Sequence, residues 1–149
     1  MLIEDIPRQA CIDILTRTQL GRLAGAQGGQ PYITPHFFAY HSNALYSFST
    51  VGQKVTWMRA NPLVCVETDE VETPQQWASV IVFGRYEELT PEAEHHEGAR
   101  TLALRLLQQR PMWWEPGYAK TVHEESERPL EWVYFRIRIT QITGHRAKS

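Results

Sequence analysis

The sequence contains little cysteine and no marked excess of either charge. Its two cysteines, Cys11 and Cys65, have a spacing that fits no metal-binding or redox motif. We interpret both as small buried side chains. Lysine and arginine number 15 and aspartate and glutamate number 17, which gives a formal net charge of -2. Because the chain offers no basic field, we expect no nucleic-acid partner.

Long apolar runs and a basic leader are also missing. No stretch approaches the roughly 20 apolar residues that are needed to cross a bilayer. Glu4 and Asp5 stand near the N-terminus, where a signal peptide would carry basic residues. We therefore expect a cytoplasmic protein with no membrane partner. The chain is 42% hydrophobic and 21% charged, which is ordinary for a globular protein, and we predict a single domain over residues 1–149.

Hydrophobic periodicity predicts a chain that is mainly β-structure with a few helices. Helices are predicted from Pro7 to near Thr18, from Lys54 to Ala60, and from the Thr90-Pro91-Glu92 start. Two loops are predicted, an acidic one over 69–76 and a long connection over 109–129 that is typical of a functional loop. The predicted strands cover residues 21–26, 31–40, 44–49, 63–68, 77–89 and 132–142.

About six strands with short connections favour an antiparallel barrel with helices packed outside it. Residues 31–40 and 44–49 are predicted to form one hairpin. The strand 77–89 is apolar on both faces in its first half, so one face is predicted to cover a core and the other to meet a partner. The last strand is predicted to be half-exposed, with Phe135 facing inward and Tyr134 facing outward.

The segment from Ser49 to Lys54 leaves a strand and enters a helix, and it carries the most chemistry. Two hydroxyls, Ser49 and Thr50, and the Lys54 ammonium surround Gly52. A helix N-terminus exposes unpaired amides and the positive end of the helix dipole, so an anion such as a phosphate is favoured there. The alternative is that Ser49 or Thr50 only caps the helix and that Lys54 is solvated.

Several motifs occur in an order that identifies a family resemblance. They are Gly21-Arg22-Leu23-Ala24, Pro31 through Phe38, Leu45-Tyr46 through Gly52-x-Lys54, Asn61 through Val66, Trp77 through Arg85, and Arg136 through Gly144. In this order they resemble the pyridoxamine 5′-phosphate oxidase-like flavoproteins, and the branch with the nitroimidazole-resistance proteins is nearest. That branch is expected to carry a histidine where this chain has Phe48, so nitroimidazole reduction is not implied.

The resemblance implies a six-stranded antiparallel split barrel that binds flavin mononucleotide (FMN) at the interface of a homodimer. Lys54, with Ser49 and Thr50, would then hold the FMN phosphate. Trp77 and Ser79 would also approach the cofactor, either within their own chain or from the partner chain. The residues that would border the isoalloxazine ring are Thr34, Pro35, His36 and Phe37.

The activity that this family implies is an FMN-dependent oxidoreductase. It would transfer hydride or electrons between a reduced nicotinamide and a small-molecule acceptor, and the cofactor would perform the redox step. The alternatives are a non-enzymatic flavin carrier or sensor, and a split barrel that binds haem or the deazaflavin F420. Trp113 and Trp114 would either wall the substrate side of the ring or pack against the barrel. We assign no catalytic residue and no metal site.

Overall fold

Ten β-strands and three α-helices make up the chain, and the computed structural model describes residues 1–149. Short 3-10 turns lie at Glu94–His96 and Pro116–Tyr118. None of the helices has the length and apolar character of a membrane-spanning segment. The helices are α1 (Arg8–Arg17), α2 (Gln53–Ala60) and α3 (Glu97–Gln108). The strands are β1 (Leu2–Asp5), β2 (Leu20–Gln27), β3 (Gln30–Phe37), β4 (Ala39–His41), β5 (Ala44–Thr50), β6 (Leu63–Thr73), β7 (Gln76–Leu89), β8 (Lys120–His123), β9 (Ser126–Pro129) and β10 (Trp132–Lys148).

The main sheet is antiparallel throughout, in the order β3-β2-β6-β7-β10-β5-β4. β3 and β4 are two halves of one bent strand that are separated by Phe38, whose amide donates to the Gln19 carbonyl at 2.9 Å. The first half pairs with β2 and the second half pairs with β5. The sheet therefore curls into the predicted six-stranded split barrel. We call the opening between β3 and β5 the split.

The barrel interior is filled by the inward residues of each strand, because successive side chains of a strand point to opposite faces. On β7, Val80 and Val82 are fully buried, and Phe135 and Ile137 of the neighbouring β10 belong to the same core. α1 packs on this core with Cys11, Ile14 and Leu15, which lie on one side of the helix at helical spacing. Cys11 and Cys65 are both unpaired.

A second core lies outside the barrel, where α3 covers β5 and β10. Ala103 and Leu107 of α3 are fully buried there, together with Phe48 and Tyr134. The prediction of a half-exposed face on the last strand is therefore wrong at Tyr134, which α3 buries. The amphipathic pattern of α3 was visible in the sequence, but the strand against which it packs was not.

Two predicted loops are largely regular structure. β6 continues to Thr73 and β7 begins at Gln76, so the predicted loop 69–76 is a tight turn between two paired strands. The predicted connection 109–129 contains a 3-10 turn and the β8–β9 hairpin. Both pairs of strands were missed because their exposed residues are mostly acidic or polar. Such residues lack the apolar alternation that predicts a strand, although backbone pairing does not depend on apolar side chains.

Three other boundaries also differ from the predictions. β1 was not predicted, and it pairs with the end of β10, which is longer than expected. The helix predicted to start at Thr90 begins at Glu97, and the Thr90 amide instead donates to His96 Nδ1 at 3.2 Å. The hairpin of 31–40 with 44–49 forms only over Ala39–His41, because β3 pairs with β2.

Candidate functional site

Two adjoining cavities of about 250 and 240 Å³ lie at the split and share Thr50 and Lys54. One side of both cavities is formed by β3, and the other side by the end of β5 and the start of α2. The structure thus brings together eight residues that were predicted from the sequence. They are Thr34, Pro35, His36, Phe37, Ser49, Thr50, Gly52 and Lys54.

The first cavity opens onto the N-terminus of α2. No side chain caps this helix, and the Ser49 hydroxyl instead donates to the Thr50 carbonyl at 3.1 Å. The alternative that Ser49 or Thr50 caps the helix is therefore wrong. Gly52 is exposed, and no atom lies within 4 Å of the position that a Cβ would take. The first-turn amides of α2 thus remain available to an incoming acceptor.

Lys54 carries an ammonium that no carboxylate neutralises. Its side chain is half-buried, and it makes neither an ion pair nor a hydrogen bond within the chain. Burial lowers the pKa of Lys54. A nearby anion would favour the charged form, so this lysine and the free amides of α2 form a matched anion site.

Ser47 connects the two sides of the split, and it was not among the residues predicted from the sequence. Its Oγ donates to the Phe37 carbonyl at 2.6 Å and contacts Nε2 of His36. Burial, together with the nearby Lys54 charge, lowers the pKa of His36 to about 3, so the imidazole is neutral at physiological pH. The sequence feature that could have indicated Ser47 is its spacing of two residues from Ser49, because both side chains then lie on the inward face of β5.

The second cavity has an aromatic wall. Trp114 lines it and is 43% exposed, with its ring centroid 4.9 Å from that of Phe48. Trp113 instead packs against the second core, with its ring 5.3 Å from Phe48. Of the two tryptophans that were weighed for the substrate side, the structure places only Trp114 at the cavity.

Trp77 and Ser79 do not line the cavities of the split in their own chain. Both belong to β7, and Trp77 lines a separate, larger cavity of about 660 Å³, which we call the Trp77 cavity. Its cationic side chains are paired with Glu70 or with Glu4. The pairs are Arg17 with Glu70 at 2.6 Å, Arg146 with Glu4 at 2.7 Å and Lys148 with Glu4 at 3.0 Å.

The residues of the split fit a phosphate that is joined to a flat ring. An unpaired cation and free backbone amides lie at one end, where a phosphate would bind. Pro35, Phe37 and Trp114 provide apolar and aromatic surface at the other end, where a planar ring system would lie. The site therefore has the chemistry that a flavin nucleotide requires.

Comparison with known proteins agrees with this geometry. A family model described as "Pyridoxamine 5'-phosphate oxidase" matches residues 7–146. An uncharacterised protein of Rhizobium meliloti (strain 1021) is 39% identical over 148 residues, which cover 99% of this chain and 97% of the relative.

Two solved structures share the fold. A FAD-binding protein of Mesorhizobium loti is 39% identical with a TM-score of 0.79, and the match covers 100% of this chain and 99% of the other. A FAD-binding protein of Mycobacterium smegmatis is 22% identical with a TM-score of 0.73, over 98% of this chain and 99% of the other. The chain therefore belongs to the flavin-binding, pyridoxamine 5′-phosphate oxidase-like family of split-barrel proteins.

Proposed function

We propose that this protein is a flavin-dependent oxidoreductase that binds FMN in the split. It transfers hydride or electrons from a reduced nicotinamide to a small-molecule acceptor. The observation that carries the proposal is the unpaired Lys54 ammonium beside the uncapped start of α2, at the end of a cavity with an aromatic wall. When bound, the flavin supplies the redox chemistry, and the chain supplies binding and orientation.

Different residues of the split bind the phosphate and the ring of the cofactor. Lys54 and the first-turn amides of α2 bind the phosphate, and the exposed Thr50 hydroxyl adds a donor beside them. Each hydrogen bond to a charged group contributes about 1.5–3 kcal/mol. Trp114 and Phe37 border the ring and limit the access of water to it.

We also propose a homodimer with the cofactor between the subunits. The outer face of β6 and β7 carries apolar side chains that no helix covers, since Leu63, Ile81 and Phe83 are 62%, 37% and 41% exposed. Apolar patches of this kind mark association surfaces. In the dimer, Trp77 and Ser79 of one subunit would approach the flavin of the other, which explains why they are absent from the split of their own chain.

FAD is the second candidate cofactor, and one feature of the structure favours it. A groove of about 520 Å³ beneath the β8–β9 hairpin joins the phosphate end of the split through Thr50. Arg128 lines this groove and makes no ion pair or hydrogen bond within the chain. The Mesorhizobium loti relative is named as a FAD-binding protein. The groove has room and charge for the adenylate half of FAD.

Absorbance spectroscopy of the purified protein tests the proposal. We expect flavin bands in the blue and near-ultraviolet, and chromatography of the released cofactor then separates FMN from FAD. NADH or NADPH should bleach these bands, and an added acceptor should restore them. Bleaching by neither nucleotide would indicate a carrier or sensor. A Soret band or the single visible band of F420 would overturn the flavin assignment.

The dimer is tested by replacing Phe83 with Arg. We expect this variant to sediment as a monomer and to lose its flavin, because a charge is placed in the apolar face of β7. Leu2→Arg is the matched control, since Leu2 is 66% exposed on β1 and should stay dimeric. A Phe83→Arg monomer that remains saturated with flavin would contradict the interface site.

A further inference from the structure

We propose that His36 recognises the flavin ring as a hydrogen-bond acceptor, with its Nδ1 accepting the N3–H of the oxidised isoalloxazine. Ser47 is the positioning residue that fixes the imidazole in the required tautomer. The inference rests on the proposed function, because it assigns a partner atom within the same site.

Ser47 Oγ contacts both the Phe37 carbonyl and Nε2 of His36. A serine hydroxyl has one proton to donate. The Phe37 carbonyl can only accept, and it lies 2.6 Å from Ser47 Oγ, so the hydroxyl proton points to this carbonyl. Ser47 Oγ also contacts Nε2 of His36. Since the proton of Oγ is already used, Nε2 must carry the proton of this second hydrogen bond.

The other ring nitrogen of His36, Nδ1, is free to accept a hydrogen bond. The imidazole is neutral, because burial and Lys54 lower the pKa of His36 to about 3. A neutral imidazole with a proton on Nε2 has a lone pair on Nδ1. Nδ1 makes no hydrogen bond within the chain, and it is not among the buried polar atoms that lack a partner. It is therefore accessible, and His36 lines the second cavity.

The oxidised flavin ring has several hydrogen-bond acceptors but a single N–H donor. An oxidised isoalloxazine carries two carbonyl oxygens and the ring nitrogens N1 and N5, all of which accept hydrogen bonds. Its single N–H donor is N3–H. Among the atoms of the ring, an acceptor nitrogen can therefore pair only with N3–H. The other neutral tautomer, with its proton on Nδ1, would instead donate to the carbonyl oxygens, N1 or N5, so the tautomer that Ser47 sets determines which edge of the ring is recognised.

Binding of 3-methyl-FMN, which lacks this donor, tests the proposal. Fluorescence titration of the apoprotein should show that wild type binds FMN about tenfold more tightly than 3-methyl-FMN, as expected for the loss of one neutral hydrogen bond. His36→Ala, which also makes room for the methyl group, and His36→Phe should bind the two flavins equally. His41→Phe is the matched control, because His41 is exposed on β4, and it should keep the tenfold preference.

Nitrogen-15 NMR of the imidazole supplies a readout that does not depend on affinity. In wild type we expect Nε2 to be protonated and Nδ1 to be unprotonated, and we expect the chemical shift of Nδ1 to change when FMN binds. Ser47→Ala should mix the two tautomers and reduce the preference for FMN to about threefold, whereas Ser47→Thr, which keeps the hydroxyl, should restore it.

Each outcome supports or overturns the proposal. A proton on Nδ1 in wild type, or a preference for FMN that persists in either His36 variant, would overturn it. Equal binding of FMN and 3-methyl-FMN by wild type would overturn it while leaving the flavin site intact. If wild type binds neither flavin, the proposed function fails, and this inference fails with it.

Discussion

The split and the Trp77 cavity differ in how their charges are partnered. The Trp77 cavity is the larger one, at about 660 Å³, and Arg17, Arg146 and Lys148 all form ion pairs there. The split is lined by one cation, Lys54, which has no partner, and by a neutral His36. The split, although it is smaller, is therefore the region whose cation is still free to bind an anionic ligand.

This difference shows that cavity size alone is a poor guide to a site. Exposed ion pairs contribute little to stability, and their charges are already neutralised. An unpaired, half-buried ammonium is costly unless something compensates for it, and an anionic ligand does so. The same contrast explains why the pKa of Lys54 is lowered, whereas Glu4 and Glu70, beside their cations, have pKa values below the usual range.

The largest expected effect is the loss of flavin from Lys54→Glu. Charge reversal removes a charged hydrogen bond and adds repulsion, so the affinity should fall at least about 100-fold. Arg17→Glu reverses a paired charge in the Trp77 cavity and should change the affinity less than about threefold. Titration of both variants with FMN measures the contrast. Equal losses in the two variants would remove the distinction between the regions.

Replacing the adjacent residues Trp113 and Trp114 should have different effects, because only Trp114 lines the split. These effects should be smaller than that of Lys54→Glu. Trp113→Ala removes packing from the second core and should lower the free energy of unfolding by about 2 kcal/mol. Trp114→Ala removes a contact with Phe48 and should lower stability by only about 1 kcal/mol but increase quenching of bound flavin by iodide. Urea unfolding and quenching together measure this, and the reverse pattern would exchange the two roles.

The smallest expected effect concerns Glu67 on the outer face. Burial and the neighbouring Asp69 raise the pKa of Glu67 to about 7, although Arg22 opposes the shift. Because the unfolded carboxyl releases its proton near pH 4.5, the free energy of unfolding should fall as pH rises from 4.5 to 7. Since Glu67 is partly exposed, Glu67→Gln should be more stable than wild type by about 1 kcal/mol at pH 8. At pH 4.5 the two should match, and urea unfolding that shows the same gap at both pH values would contradict the shifted pKa.

Local patterns predicted the antiparallel barrel and the segment from Ser49 to Lys54, whereas the residues of β3 at the split were expected only from the family resemblance. The alternation of apolar and polar residues predicted most of the strands. A glycine between a strand and a helix indicated the anion site beside Lys54. Ser47 was missed because its role depends on where β3 separates from β5, and that separation is set by the pairing of β3 with β2. Short-range patterns carry no information about which distant strand becomes a partner.

The placement of Trp77 could not be derived from the chain for a related reason. It lies on a strand that was predicted correctly, but its face is set by the register of β7 against β6 and β10. The hairpin β8–β9 was missed because all of its residues are exposed, which removes the apolar alternation that marks a strand.

The central claim, that the split holds the flavin, is tested most directly by a crystal structure of the protein with FMN. We expect the phosphate to lie against Lys54 Nζ and the first-turn amides of α2, with the ring beside His36 and Phe37. A flavin bound in the Trp77 cavity, with Lys54 still unpaired, would contradict it.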